Sequence, residues 1–385
     1  MSLGAALIRQ RPLASSDSVW RLNNFDLIRL FAALQVATVH IIGRFRPGSP
    51  WVAILEAGLR LFPGVPIFFL VSGVLISRSY EGCASLRTYY RNRCLRIFPA
   101  LWVCLVVSLG VIVLTIDRAG PIDRREWLLW WLGQMTLAQQ YSPSFLHGDR
   151  LNGSLWTIPV ELEFYLLLPL LYALARLRGR GRNWPFVCVL AVSAAIHWVL
   201  LHAQPGSVAI RYVFVWDTVI PYLWMFLTGV LIQRNWTLLR PWLAGQFHWW
   251  LLGYILVFGG MRLYFRVGVG SIEINLLFLI PLAGVVMSCA TSVRSLSERV
   301  LAGNDISYGV YIYHMLVVAV LLHFGFRHDL LTIALAVAAA VCVGYLSWCC
   351  VERPFLRQKH NALRAVGGAK PVDLSGLSDY PRSTG

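Results

Sequence analysis

The sequence is short of charge. Asp, Glu, Lys and Arg make up 14% of the 385 residues, while 57% are hydrophobic. That excludes an ordinary soluble domain, in which about a quarter of residues are charged. Acidic residues are the scarcest, 18 against 34 Lys and Arg, for a net charge of +16. The arginines sit in short segments between apolar runs and not on a soluble basic face. The excess therefore reads as the positive-inside pattern of a membrane protein, with no nucleic acid as partner. The eight Cys include no CxxC and no His/Cys cluster. Most, such as Cys104, Cys188, Cys289 and Cys342, fall inside apolar runs, so buried thiols are expected, with neither disulfides nor a metal site. No internal repeat is visible, which leaves an inverted-repeat transporter without direct support. No apolar segment precedes Phe25, so the first run is expected to be its own anchor and not a cleaved signal.

What the chain has instead is a series of apolar runs of about twenty residues, the length that crosses a bilayer. Ten are expected, at 25–42, 51–79, 99–116, 154–175, 184–202, 211–233, 247–265, 272–291, 306–326 and 329–350. The fold class is all-α, a polytopic membrane helix bundle of about ten transmembrane helices. Trp51, Trp102, Trp127, Trp184, Trp242 and Trp249 stand at run ends, as an interfacial belt requires. Ten spans put both termini on one side, and Lys and Arg favour that side by about two to one, so both are expected in the cytoplasm. Residues 1–24 form a cytoplasmic tail, 25–357 the membrane domain and 358–385 a tail expected to be disordered. The second run is interrupted by Pro63, Gly64 and Pro66, which predicts a broken or re-entrant helix. The basic stretch Arg78–Arg96 is expected to precede span three, and Trp127–Ala138 to lie half-buried at the interface.

The first span carries a polar stripe. An arginine near the middle of a membrane helix costs roughly 2.5–3.5 kcal/mol on insertion scales, so a chain rarely keeps one without a use. Arg29 and His40 are eleven residues apart; at about 100° per residue they share a face, about 16 Å apart along the axis. Few other groups within the runs can do chemistry. Ser72 follows the Pro break, Glu161 and Glu163 open span four, Ser307-Tyr308 and His314 open span nine, and Glu352-Arg353-Pro354 closes span ten. Each also has a structural reading. His197, His202 and His323 suit packing between spans, Ser72 suits helix packing, the two glutamates suit interfacial anchoring, and Arg91, Arg93 and Arg96 suit topology alone.

In combination, however, these segments resemble the acyltransferase family 3 integral-membrane O-acyltransferases. Arg29, ten residues and His40 look like the family's first-span motif. Phe68-Phe69-Leu70-Val71-Ser72-Gly73, Arg93-Cys94-Leu95-Arg96-Ile97-Phe98-Pro99, Leu155-Trp156-Thr157-Ile158-Pro159-Val160-Glu161 with Phe164-Tyr165, Ser307-Tyr308 with His314, and Glu352-Arg353-Pro354 follow in the family's order. The resemblance runs from about 25 to 357. It departs after Glu161, where many members carry a second acidic residue and this chain has Leu162.

The resemblance implies transfer of an acyl group, usually acetyl, from a cytoplasmic thioester such as acetyl-CoA to a hydroxyl of a glycan that is extracytoplasmic or lipid-linked. No permanently bound cofactor is implied, and the place is the bacterial inner membrane. A sugar hydroxyl is a poor nucleophile and needs a base with a pKa near about 7, for which imidazole is suited. His40 is the expected base or, alternatively, a covalent acyl carrier. Arg93, Arg96 and Arg91 would meet the CoA phosphates, since Arg makes bidentate phosphate contacts. Arg29 would hold the pantetheine end or a carboxylate, with Glu161 as counter-ion, and Ser72 would orient His40 or stabilise an oxyanion. Tyr308 and His314 would line the acceptor side. The competing class is a transporter or flippase moving a glycan or small anion through the same polar path.

Overall fold

The structure is a computed structural model, described over residues 24–115, 124–135, 152–177, 183–202, 215–216, 218–265, 276–292, 296–326 and 329–358. The two tails lie outside the described residues. Every regular element within them is helical. Six helices are long and apolar enough to cross a membrane and four more are shorter apolar helices; together they match the ten expected runs in order.

Helix α1 (Phe25–Phe45) carries the polar stripe. The expected interruption then appears: α2 (Pro50–Arg60) ends, Leu61–Pro63 break the helix, and α3 begins at Gly64 and runs to Gly82. Gln35 on α1 seals the break, accepting from the Gly64 amide at 2.8 Å and donating to the Leu59 carbonyl at 3.0 Å. Freed backbone groups are thus satisfied inside protein, the condition for a broken helix at membrane depth. Gly64 is required here because a Cβ would strike the Ala32 carbonyl.

Helix α4 (Leu86–Thr115) differs from expectation. The basic stretch from Tyr89 onward is its first half and not a connection, and Pro99 lies inside it. At 30 residues it extends about 45 Å, longer than a hydrocarbon core of about 30 Å, so its charged start can project beyond the apolar layer without leaving the helix. Next come α5 (Arg124–Met135) and a 3₁₀ turn (Gly153–Trp156) leading into α6 (Thr157–Leu177). α7 (Trp184–His202), α8 (Leu223–Arg234), α9 (Trp236–Leu243), α10 (Phe247–Phe265), α11 (Leu276–Ser292) and α12 (Leu296–Leu301) follow. The last two are α13 (Ser307–His323) and α14 (Leu330–Ser347), the latter continuing through a π turn (Trp348–Glu352) to Gln358.

α13 is the central element, packed on α1, α4 and α14. Its first eleven residues are buried except for part of Val317, and His314 is fully so. Outward faces are apolar: Leu166, Leu170 and Leu174, one turn apart on α6, are exposed while Phe164, Leu168 and Tyr172 are buried. Ionisable side chains lie inside the bundle instead, the arrangement of a protein whose solvent is lipid. α3 and α8 touch backbone to backbone at Gly73 and Gly229, where a Cβ on either would strike a carbonyl of the other helix.

Candidate active site

Two cavities enter the bundle from opposite ends. The first, about 450 Å³, lies at the end where α1 starts and is lined by Arg29, Arg93, Arg96, Glu161, Arg353 and Arg357 among others. The second, about 480 Å³, lies at the other end and is lined by Gln35, His40, Arg44, Arg60, Trp156 and Tyr311 among others. Between them is a neck of about 40 Å³. It shares Arg29, Ser72, Glu161 and Tyr308 with the first cavity, and Val65 and Tyr311 with the second. Arg29 lines the first cavity and the neck, and His40 lines the second.

At the basic end, Arg29 was expected to pair with Glu161. It donates instead to Asp305 Oδ2 at 2.6 Å, and Arg96 donates to the same oxygen at 2.5 Å. Asp305 Oδ1 accepts from the Ser307 hydroxyl at 2.5 Å and its amide at 3.3 Å. Burial opposes the charge on this turn carboxylate, but the two guanidiniums and Ser307 outweigh it and hold the pKa down at about 2. Arg96 also approaches Glu352 at 3.7 Å. Its charge is therefore engaged twice, and it is a strut between α1, α4, α13 and α14, not a free phosphate ligand. Arg91 is exposed and does not line the cavity. Arg93 does: it donates to the Ser79 hydroxyl at 3.1 Å and lies 5.7 Å above the Tyr165 ring. Arg353 and Arg357 line the same mouth. None of these three has a carboxylate partner among the described residues, so Arg93 with Arg353 and Arg357, and not Arg91 or Arg96, supplies the available positive charge. Arg353 and Arg357, four residues apart on the extension of α14, share a face.

Glu161 accepts from Tyr165 at 2.6 Å and from the Ser72 hydroxyl at 3.2 Å. Both Ser72 and Glu161 thus sit beside the neck at the Arg29 end. Ser72 does not orient His40. Glu163 accepts from the Val219 amide at 2.8 Å and holds the turn before α8.

At the other end, His40 has a partner 274 positions away: its Nδ1 is 3.0 Å from His314 Nε2, with the rings stacked at 5.2 Å. His314 Nδ1 is 2.7 Å from the Tyr311 carbonyl. A carbonyl only accepts, so His314 carries its proton on Nδ1 and a lone pair on Nε2. His40 must then donate from Nδ1, which leaves its own Nε2 as an unprotonated base. This is how a second group sets the tautomer of a catalytic imidazole. His314 is fully buried behind His40 and does not itself line the second cavity. Tyr308 lies at the basic end, not the acceptor end, and braces α13 to α4 by donating to the Ile97 carbonyl at 3.2 Å. The turn before α6 locks the rest: Asn152 donates to the Ile312 carbonyl at 2.6 Å, Thr157 meets the Tyr311 hydroxyl at 2.8 Å, and that hydroxyl lies 2.8 Å from the Ser154 carbonyl. Asp305, Arg353, Arg357 and the true place of His314 were missed because each depends on contacts between distant segments. The one available signal was the i, i+4 spacing of Arg353 and Arg357.

The site is thus a polytopic helical bundle with two polar cavities, one lined with arginine and the other with a histidine backed by a second histidine. Residues 22–350 match the family model described as an acyltransferase domain, and the chain belongs to that family. It is a membrane O-acyltransferase. Among curated proteins it is similar to Nodulation protein 10 of Rhizobium leguminosarum bv. viciae, 32% identical over 87% of this chain and 93% of that protein. It is also similar to an O-acetyl transferase of Shigella phage Sf6, 27% identical over 87% and 96%. Acyltransferase MdmB of Streptomyces mycarofaciens is 28% identical over 46% of each chain. No solved structure matches the chain.

Proposed function

We propose that the protein takes an acyl group, most simply acetyl, from an acyl-CoA held in the basic cavity and delivers it to a glycan hydroxyl in the opposite cavity. The proposed setting is a bacterial inner membrane, with the basic mouth facing the cytoplasm. The observation that carries this reading is the pair of cavities with a neck that shares lining residues with both, arginines without a carboxylate partner among the described residues at one mouth, and the His40–His314 pair at the other. Arg93, Arg353 and Arg357 are suited to the phosphates of CoA, whose charge a guanidinium fork matches. Trp156 and Tyr311, with Gln35 and Ser154, offer the mix of aromatic faces and polar groups that orients a ligand in a pocket.

His40 Nε2 removes the proton from the acceptor hydroxyl as its oxygen attacks the thioester carbonyl. The carbon–sulfur bond then breaks, and the imidazolium returns the proton to the leaving thiolate. Products are the ester and free CoA. The test is transfer of label from acetyl-CoA to a membrane glycan fraction, with and without this protein. Wild type should transfer label, and His40→Ala should abolish transfer while remaining in the membrane at normal level. A purified His40→Ala enzyme that acylates at the wild-type rate would overturn the role of His40. Glycan movement without label would overturn the donor.

A further inference from the structure

We propose that the acceptor carries an oxyanion, a carboxylate or a phosphate, close to the hydroxyl that is acylated, and that Arg44, Arg46 and Arg60 hold it. This rests on the acyl-transfer reading above and names the class of acceptor. All three arginines line the cavity that contains His40, and no Asp or Glu lines it among the described residues. Arg44 stands four residues after His40 on α1, so it lies on the same face one turn further out, about 6 Å along the axis. Arg60 closes α2, and the break after it leaves its side chain on the same cavity. A hydroxyl delivered to His40 Nε2 therefore arrives with cationic side chains about one helical turn away.

Topology does not account for this charge. In the proposed orientation the His40 cavity lies away from the cytoplasm, where the positive-inside rule disfavours Lys and Arg beside span ends. Helix ends account for part of it: Arg44 and Arg60 lie in the last turns of α1 and α2, where a cation complements the dipole. Arg46 is different. It caps α1 at φ 41°, ψ 54°, in the left-handed region that Gly enters freely and a Cβ resists. Gly would fit that cap at lower cost, so the arginine is explained by its side chain. Its Nε donates to the Gly43 carbonyl at 3.1 Å, which fixes the guanidinium at the cavity without neutralising it. Arg60 meets Glu56 at 2.6 Å, one turn back on α2. A partly exposed pair of this kind is weak, and Glu56 does not line the cavity, so an anion there competes for the guanidinium. Against the three arginines stand Glu56 and about half a negative charge at each helix C-terminus, which they exceed.

The test uses the full-length enzyme in neutral phosphatidylcholine vesicles, labelled acetyl-CoA, and the glycan fraction extracted from the source membranes. The glycan is supplied untreated, after carbodiimide amidation of its carboxylates, or after mild acid that cleaves glycosyl phosphates. One treatment should raise the apparent acceptor KM by about tenfold or more, the fold-change of one lost charge-assisted bond. Which treatment does so identifies the oxyanion as carboxylate or phosphate. An acceptor KM unchanged by both overturns the proposal and leaves acyl transfer standing. Arg46→Gly separates binding from folding, because Gly suits the left-handed cap. It should keep or raise the melting temperature, raise the KM for untreated glycan by about tenfold and leave the KM for acetyl-CoA unchanged. Arg44→Gln with Arg60→Gln should raise the acceptor KM likewise. Salt should raise the wild-type acceptor KM by screening and affect the variants less. Variants that lose kcat alone, with the acceptor KM intact, overturn the proposal. Absence of label transfer by wild type overturns the acyl-CoA reading itself and this inference with it.

Discussion

Replacing His314 tests the chemistry of the site without touching either cavity. His314 is fully buried and lies behind His40, so its loss removes no contact with donor or acceptor. What it removes is the acceptor for the His40 Nδ1 proton. His314→Phe fills similar space but accepts nothing, so His40 is free to carry its proton on Nε2, where it cannot act as a base. General-base catalysis contributes typically 10²–10⁴-fold, about 2.7–5.4 kcal/mol of barrier at 1.36 kcal/mol per decade. The expected result is a kcat lower by roughly 10²–10⁴ with the KM for acyl-CoA unchanged. His314→Gln is the informative companion. Its amide oxygen can accept from Nδ1, so it should recover most of the lost rate. The assay is label transfer at saturating donor, with both variants reconstituted at equal amounts. If Phe and Gln variants fall alike, or if the Phe variant keeps kcat within about twofold, the tautomer argument is wrong.

Three further outcomes follow from the basic end. Arg353→Ala with Arg357→Ala should weaken acyl-CoA binding by tenfold or more, at about 1.5–3 kcal/mol per charge-assisted bond lost, measured by calorimetry; unchanged affinity would remove both from the donor site. Arg96→Ala should act mainly on stability instead, seen as a lower melting temperature in detergent. Asp305→Asn should destabilise by roughly 3–5 kcal/mol, the usual result of removing one partner from a buried charge cluster. The pH dependence of that cluster has a definite sign. Asp305 is held from 3.8 down to about 2 in the folded state, so its contribution is fully present above pH 3.8 and is lost as pH falls towards 2.

Much of the fold was legible because span length is a hard constraint. All ten apolar runs carry apolar helices in the expected order, and Pro63-Gly64-Pro66 marked the break that divides the second into α2 and α3. The start of α4 was not legible: charge density resembled a connection, yet helix needs only backbone hydrogen bonds and tolerates arginines where the helix leaves the apolar layer. In the site, the spacing of Arg29 and His40 placed both on one face of α1 because it depends only on helix geometry. Their partners were hidden. Asp305 is 276 positions from Arg29 and His314 is 274 from His40, and no local periodicity encodes which distant helix a side chain will meet. Ser72, Tyr308 and Glu161 were recognised as site residues, but only packing decides which end of the path each occupies.

The π turn at Trp348–Glu352 has a consequence for the donor mouth. An α-helix advances about 100° per residue, and a π turn accommodates one residue beyond the α-helical count. Everything after it is therefore rotated by about that angle relative to an uninterrupted α14. Arg353 and Arg357 owe their direction to this extra residue, and the turn is held where it is by Trp348, whose indole donates to Asn304 at 2.9 Å, and by the Ser347–Glu352 contact at 3.3 Å. A single-residue deletion there would keep the sequence motif, the charge and the helix length nearly intact, yet swing both guanidiniums off the cavity. The proposed donor contact thus depends partly on the path of the backbone through the turn, and not on the arginines alone.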